Sequence, residues 1–188
     1  MTISIRPALL DEAIQIAPLI YEAIGDIAHR LTGEDDPELV VAALTELVTR
    51  TDNRHSYKQT HVALKGEHVV GIVVLYDGVT GNRLDEQLKQ WLKQKNAKTL
   101  KVDVEAHPDE YYIDTICVSK EARGLGIGTQ LLHYAEQQAH TLGYDKLSLN
   151  VELQKTAARK LYEKLGFIIT EPWTIIDEPF HHMVKELH

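Results

Sequence analysis

Cys117-Val118-Ser119-Lys120-Glu121-Ala122-Arg123-Gly124-Leu125-Gly126-Ile127-Gly128-Thr129 is the stretch whose reading decides the fold. An apolar segment, Tyr111 to Val118, leads into it, and an amphipathic run ending near Leu142 leads out. The pattern is strand, loop, helix. Three glycines at alternate positions let backbone N–H groups turn toward one point, and the helix N-terminus adds about half a positive charge, so the turn is an anion site. Arg123 sets a full charge beside it. The Walker pattern requires a Lys after the glycines, and none follows; the dinucleotide pattern requires its third glycine one residue beyond Gly128. What stands here is Arg-x-x-Gly-x-Gly, as Arg123, Gly126 and Gly128.

Working outward, KLSLNVEL reads as a strand and Thr156 to Leu165 as a helix closed by Gly166. Two more strands follow, FIITEPW and HHMVKEL, parted by a turn around Asp177 to Pro179, with a bulge or strand end at Glu171-Pro172. Upstream, TISIR is a short strand before Pro7. Leu10, Ile14, Ala17, Tyr21, Ile24, Ala28 and Leu31 form one helical stripe that stops at Gly33, with a kink or restart expected at Pro18. Pro37 opens a second helix. THVALKG and HVVGIVVLYDG pair as a hairpin about Gly66, and Leu84, Leu88, Trp91 and Leu92 mark a helix between Gly81 and Asn96. A β-hairpin followed by a β-α-β-α-β run calls for an α/β (α+β mixed) sheet.

The chain has 188 residues, about one average domain and a quarter, so a single domain over 1–188 with a helical insertion at about 78–108 is expected. Twenty basic residues against 28 acidic give −8, which argues against a nucleic-acid binder. No stretch approaches the ~20 apolar residues of a membrane span. Asp11 and Glu12 interrupt the N-terminus where a signal peptide needs an apolar run. The single Cys117 permits no internal disulfide and fits a reducing, cytoplasmic setting. His29, His55, His61, His107, His181 and His182 lack metal-ligand spacing, and neighbours such as His181 and His182 point to opposite faces of a strand, so no metal is expected.

The Arg123–Gly128 pattern resembles the pyrophosphate loop of the GNAT superfamily of acyl-CoA-dependent N-acetyltransferases. A second resemblance lies in LSLNVELQKTAARKLYEKLGF, where Ala158, Leu161, Tyr162, Glu163, Lys164, Gly166 and Phe167 stand at the family's separations. The likeness is specific over about Tyr111 to Phe167. It implies a GNAT-like, mostly antiparallel central sheet of about six or seven strands, splayed between the strand ending at Val118 and the strand Leu147 to Val151. It further implies acetyl-CoA (coenzyme A) as acyl-donor co-substrate, held by Ile116, Cys117, Val118, Arg123, Gly124, Leu125, Gly126, Ile127, Gly128, Thr129, Asn150, Ala158 and Tyr162. Many members carry Asn seven residues before the Tyr; here Lys155 stands there, and Asn150 takes the cofactor-contact role instead.

Amide formation from a thioester needs a neutral amine, donors for the oxyanion and an acid for the thiolate. The resemblance assigns the backbone N–H near Val118 to the oxyanion and Tyr162 to the sulfur. A Tyr of pKa ~10 gives a nearly balanced proton transfer; the alternative is a core aromatic beside Leu161 and Leu165. Cys117 in its apolar strand is a small buried hydrophobe rather than a nucleophile. Asp114 is the candidate base, read on one strand face with Tyr112 and Ile116; another carboxylate or a water remains open. Asp103, Glu105, Asp109 and Glu110 form an acidic run that lines an acceptor mouth or, as preferred for Glu105 and Asp103, a solvated loop. The insertion shapes acceptor specificity or supports the sheet edge.

The expected activity is transfer of acetyl from acetyl-CoA to a primary amine of a small molecule or peptide in a ternary complex. The alternatives are a non-catalytic acyl-CoA sensor and a nucleotide-binding module, which the glycine spacing disfavours. No nucleic-acid or membrane partner is expected, and an exposed sheet edge is compatible with a homodimer.

Overall fold

The computed structural model describes residues 2–95, 97 and 101–188. Strands β1 (Ile3–Pro7), β2 (Thr60–Lys65), β3 (His68–Asp77), β4 (Tyr111–Val118), β5 (Lys146–Glu152), β6 (Ile168–Ile175) and β7 (Glu178–Glu186) form one sheet in the order β1-β2-β3-β4-β5-β7-β6. Every neighbouring pair is antiparallel except β4 and β5. This is the mixed, mostly antiparallel sheet expected. The βαβ crossover between β4 and β5 is helix α5 (Ile127–Thr141), as parallel neighbours require.

Helices α1 (Ala13–Ile24), α2 (Asp26–Thr32), α3 (Pro37–Thr49) and α4 (Gly78–Gln94) cover one face. There Ile16, Ile20, Leu44, Leu47, Leu88 and Leu92 meet Val62, Ile72 and Cys117 of the sheet. On the other face Ile127, Leu131 and Ala135 of α5 pack on Val73, Ile113 and Leu147, and helix α6 (Thr156–Lys164) adds Tyr162.

Two local expectations shift. The first helical stripe breaks at Gly25, not at Pro18, which lies inside α1. Gly25 has φ +52° and its N–H bonds the Tyr21 carbonyl at 2.9 Å, closing α1 with a conformation that side chains disfavour. Pro18 strands only the carbonyl of Ile14, a residue 76% exposed, where water serves. The last turn falls on Ile176 and Asp177, both at positive φ, so β7 starts at Glu178. The bulge read near Glu171 is present: Ile169 faces Met183 and Glu171 faces His182, leaving Thr170 unpaired.

Two irregularities in β4 shape the cleft. Val74 pairs with Thr115 and Leu75 with Ile113, so Asp114 is an extra residue in a bulge. The alternation flips there. Tyr111 and Ile113 lie in the α5-side core together with Ile116, whereas Cys117 lies in the α1-side core, so Ile116 does not share a face with Asp114 as strict period 2 predicts. The second irregularity is that β4 and β5 pair only over Tyr111–Leu147, Tyr112–Ser148 and Ile113–Leu149. Beyond that point the sheet opens.

Candidate active site

One end of the opening is the glycine loop. Gly124 and Gly126 sit at φ +77° and +74°, left-handed conformations that glycine adopts without strain. Gly126 is the N-cap of α5 and offers no side-chain cap, and the first intrahelical bond runs from Gln130 N–H to the Gly126 carbonyl. The N–H groups of Ile127, Gly128 and Thr129 therefore point out of the helix end. Val118, Arg123, Gly124, Gly126, Gly128 and Thr129 are among the residues that line a hollow of about 230 Å³ there. Arg123 is anchored rather than free: Nε donates to the Val118 carbonyl at 3.2 Å and Nη2 to Glu22 of α1 at 2.6 Å. Leu125 is exposed and does not line the hollow.

The edge of β4 supplies the next donors. Ser119 N–H bonds the Val70 carbonyl of β3 at 2.9 Å, and alternation then turns the peptide groups of Ile116 and Val118 away from β3, into the opening. The same alternation turns Cys117's backbone toward β3, where it pairs with Ile72. Its side chain is buried against α1, and burial raises the thiol to about 11. Cys117 is thus not brought to the cleft by either its backbone or its sulfur.

Between the strands lies a cavity of about 120 Å³. Ile116, Asn150, Ala158 and Tyr162 line it, together with residues of α1 and the β6–β7 turn. Tyr162 packs edge-on to Phe167 at 6.0 Å, and among the described residues its hydroxyl has no hydrogen-bond partner. Burial raises its pKa to about 12, so the near-balance assumed at pKa ~10 does not hold. Lys155 bridges the walls, with Nζ on Glu152 at 2.7 Å and on the Ala23 carbonyl at 3.2 Å.

At the far end stands a group that motif spacing did not announce. Arg54 Nε and Nη2 donate to Asp85 Oδ1 of α4 at 2.9 and 2.5 Å, Nη1 donates to Glu105, and Nη2 reaches the Asp103 carbonyl at 3.0 Å. Asp114 Oδ2 lies 3.5 Å from Nη1 and accepts from Tyr76 Oη at 2.5 Å, while Oδ1 accepts from Thr115 at 2.7 Å. Both Asp114 oxygens are thereby hydrogen-bonded at the bulge, and Asp114 lines the cavity together with Glu105. Glu105 is not in a solvated loop but buried, and burial, opposed by Arg54 and joined by Asp114, pushes it up to about 7. Asp103 is likewise tied down, Oδ2 accepting from Ile176 N–H at 2.6 Å. Of the acidic run only Asp109, paired with Lys146 at 2.7 Å, remains at the surface.

Asn150 faces this group. Its Nδ2 donates to the Glu105 carbonyl at 2.8 Å and to Tyr112 Oη at 3.1 Å, and its Oδ1 meets His182 Nδ1 at 2.7 Å. The amide is engaged with these protein partners while Asn150 also lines the cavity. His182, fully buried, also meets both Glu110 oxygens at 3.1 Å through Nε2. Glu110 accepts from Ser148 at 2.8 Å; the bonds from His182 and Ser148 hold its pKa low although burial works the other way. His107, Glu110 and His182 bring one ligand atom each within 4.8 Å, a constellation the sequence spacing concealed. Each is hydrogen-bonded in this fold, His107 Nε2 to Glu171 at 2.7 Å and His182 Nε2 to Glu110 at 3.1 Å.

A model of the acetyltransferase (GNAT) family matches residues 21–167. Among solved structures, one described only as an acetyltransferase is 31% identical, with a TM-score of 0.81 over 98% of this chain and 100% of that one. An N-acetyltransferase from Staphylococcus aureus Mu50 is 27% identical, with a TM-score of 0.82 over 96% and 99%. Among curated proteins, GCN5-related N-acetyltransferase 6, chloroplastic, of Arabidopsis thaliana is 37% identical over 60 residues, 32% of this chain and 21% of the relative. The aligned region thus spans about a fifth of that relative's length.

Proposed function

Because the chain belongs to the acetyltransferase (GNAT) family, we propose that it moves an acetyl group from acetyl-CoA to a primary amine of a small molecule or peptide by direct transfer in a ternary complex. The observation that carries the reading is the parting of β4 from β5 beyond Ile113 and Leu149, with the outward amides of α5 at one mouth and Tyr162 in the wall.

The residues present suit such a donor. The Ile127, Gly128 and Thr129 amides and the α5 dipole match a pyrophosphate, and open space lies over Gly124 and Gly126. The Ile116 and Val118 amides are placed to stabilise negative charge on a thioester oxygen as an amine attacks. Tyr162 stays protonated at neutral pH, but at about 12 it is a weaker acid than a thiol of ~8.5, so outright proton release to the sulfur is uphill. Its hydroxyl hydrogen-bonds the sulfur as charge develops and gives up its proton only as it gains another. The buried, unactivated Cys117 supports direct transfer over an acetylated-enzyme route.

The test is release of coenzyme A thiol from acetyl-CoA across polyamines, aminoglycosides, amino acids, arylalkylamines and short peptides. Turnover with at least one class is the expected result. Tight acetyl-CoA binding with no turnover on any acceptor turns the reading to an acyl-CoA sensor.

A further inference from the structure

Around Arg54 the molecule assembles more negative charge than positive. Asp85 from α4, Asp114 from β4 and Glu105 share its single guanidinium, with side-chain exposures of 5%, 4% and 12%. The other groups facing this knot are Tyr76 of β3, Tyr112 of β4, Asn150 of β5, Asp103, and His55 beside Arg54 in sequence. None of them is a permanent cation; Lys89 of α4, whose charge reaches Asp85, stands outside the buried knot, partly exposed and paired with Glu86 at 2.8 Å. His55 is held neutral, its pKa lowered by burial to about 4. Three carboxylates out of water around one cation cannot all remain ionised without cost.

The hydrogen bonds around Glu105 have a direction. Because Asn150 Nδ2 must donate to the Glu105 carbonyl, the amide cannot be flipped, and its Oδ1 requires a proton on His182 Nδ1. Tyr112 Oη accepts from Asn150 and so turns its own proton to Glu105 Oε2, at 2.8 Å. Arg54 donates to the other oxygen. The set starting at Glu110 and His182 thus presents one donor to Glu105 Oε2 through Tyr112, Arg54 presents another to Oε1, and together they hold the group as a proton acceptor at the cleft wall. Apart from the Lys155–Glu152 pair, the walls between it and the α5 end are largely apolar, among them Ala23, Ile24, Val102, Ile175 and Phe180.

The geometry points to Glu105 as the base of the transfer reaction, serving an acceptor that arrives as a primary ammonium on an apolar body and supplies the second cation the Arg54 knot lacks. This rests on the acetyl-transfer reading above. Glu105 takes one ammonium proton and later passes it to solvent, and the freed nitrogen lone pair forms the bond to the thioester carbonyl carbon. As the adduct collapses, the C–S electron pair leaves on sulfur. The sulfur takes the Tyr162 proton, the adduct nitrogen returns one to Tyr162, and the third stays on the amide. His182, Asn150 and Tyr112 are positioning residues.

The experiment is the pH dependence of kcat/KM with acetyl-CoA and two probe amines of different basicity, phenethylamine and benzylamine, for the wild type, Glu105→Gln, Glu105→Asp and Tyr112→Phe. The expected wild-type profile falls on the acid side with an apparent pKa near 7, the same for both amines. An acid limb that instead tracks each amine's own pKa overturns the proposal. Glu105→Gln is expected to lose about 100-fold or more and its acid limb, with Glu105→Asp restoring part of both. Tyr112→Phe removes a bond to the carboxylate, so its limb moves to higher pH. Wild-type rate and limb in Glu105→Gln, or an unmoved limb in Tyr112→Phe, overturn the assignment while leaving acetyl transfer intact. A wild type that binds acetyl-CoA but acetylates neither these amines nor any other overturns the functional reading and this one with it. If Glu105→Gln does not fold, Glu105→Asp and Tyr112→Phe carry the test through their limbs.

Discussion

The glycine loop and the Arg54 knot stand at opposite ends of one cleft and are built on opposite principles. The loop is local and made of backbone: within about a dozen residues, a strand end, two left-handed glycines and an uncapped helix start aim amides outward. The knot is non-local and made of side chains, Arg54 meeting Asp85, Glu105 and Asp114 across sequence separations of 31 and 51 residues for the first two. Backbone donors cannot vary with the side chain, so the loop suits a constant ligand. Side chains can be exchanged singly, so the knot suits a ligand that differs from one protein to another.

The difference predicts different ways to fail. Arg54→Met should damage the fold itself, because three buried carboxylates lose their shared cation, a change worth about 3–5 kcal/mol when one partner of a buried pair is removed. Urea unfolding reads it, and Glu105→Gln in the same chain should recover part of the loss. Equal stability of Arg54→Met and wild type would mean that water already reaches the carboxylates. Gly126→Asp should instead leave the core intact and strike binding. A carboxylate about 4 Å from a bound phosphate is worth roughly 1–4 kcal/mol between the bulk-water and near-surface limits. About a hundredfold loss of coenzyme A affinity by calorimetry is expected. Unchanged affinity would remove the loop from the donor site.

The same contrast explains what could be read from the sequence. Arg123-x-x-Gly126-x-Gly128 and Ala158 to Phe167 are motifs because their function depends on neighbours along the chain. They gave the sheet, the splay between β4 and β5, and the place of Tyr162 in the wall. Arg54 has no such neighbours. It follows helix α3 in an irregular turn, and only the closing of β3, α4 and β4 around it reveals a charge knot. The Asp114 bulge was hidden for a related reason: the apolar run reads as a regular strand, and the extra residue shows only against β3. Along the chain Arg54 stands in the polar stretch Thr51 to Lys58, where Asp52 is the one acid, and nothing there names its partners. His107 and Glu110 of the loop before β4 meet His182 of β7, beyond the reach of ligand spacing.

Tyr162→Phe tests the wall between the two ends. With a pKa of about 12 the hydroxyl serves as a hydrogen-bond donor to a developing thiolate, and such a bond to a charged group is worth about 1.5–3 kcal/mol. The expected result is a roughly 10- to 100-fold drop in kcat with coenzyme A affinity unchanged, since the hydroxyl has no partner until charge develops on the sulfur. An equal fall in affinity would make Tyr162 a packing residue. An unchanged kcat would assign the sulfur's proton to water.

The smallest effect separates the two ends by pH. His55 beside Arg54 and His61 under α5 are both pushed down to about 4 by burial, and each has an Nδ1 with no hydrogen-bond partner among the described residues. Their depressed folded-state values mean that the unfolded chain binds protons first as pH falls below 6.5. Stability is whole above that value and is lost progressively down to about 4, at roughly 1.4 kcal/mol per pH unit for each histidine. His61 packs against Tyr134 at 5.0 Å between ring centroids, away from any charge, so His61→Phe should flatten the loss between pH 6.5 and 5 by about one histidine's share. His55 sits in the fields of Asp114, which favours its protonation, and Arg54, which opposes it. In Arg54→Met the opposing charge is gone and His55 becomes a ready cation for the stranded carboxylates. The acid loss in that variant should therefore shrink, while His61 keeps its full share. Identical pH slopes for wild type and Arg54→Met would show that His55 does not sense the knot, and the contrast between the two ends would then rest on the carboxylates alone.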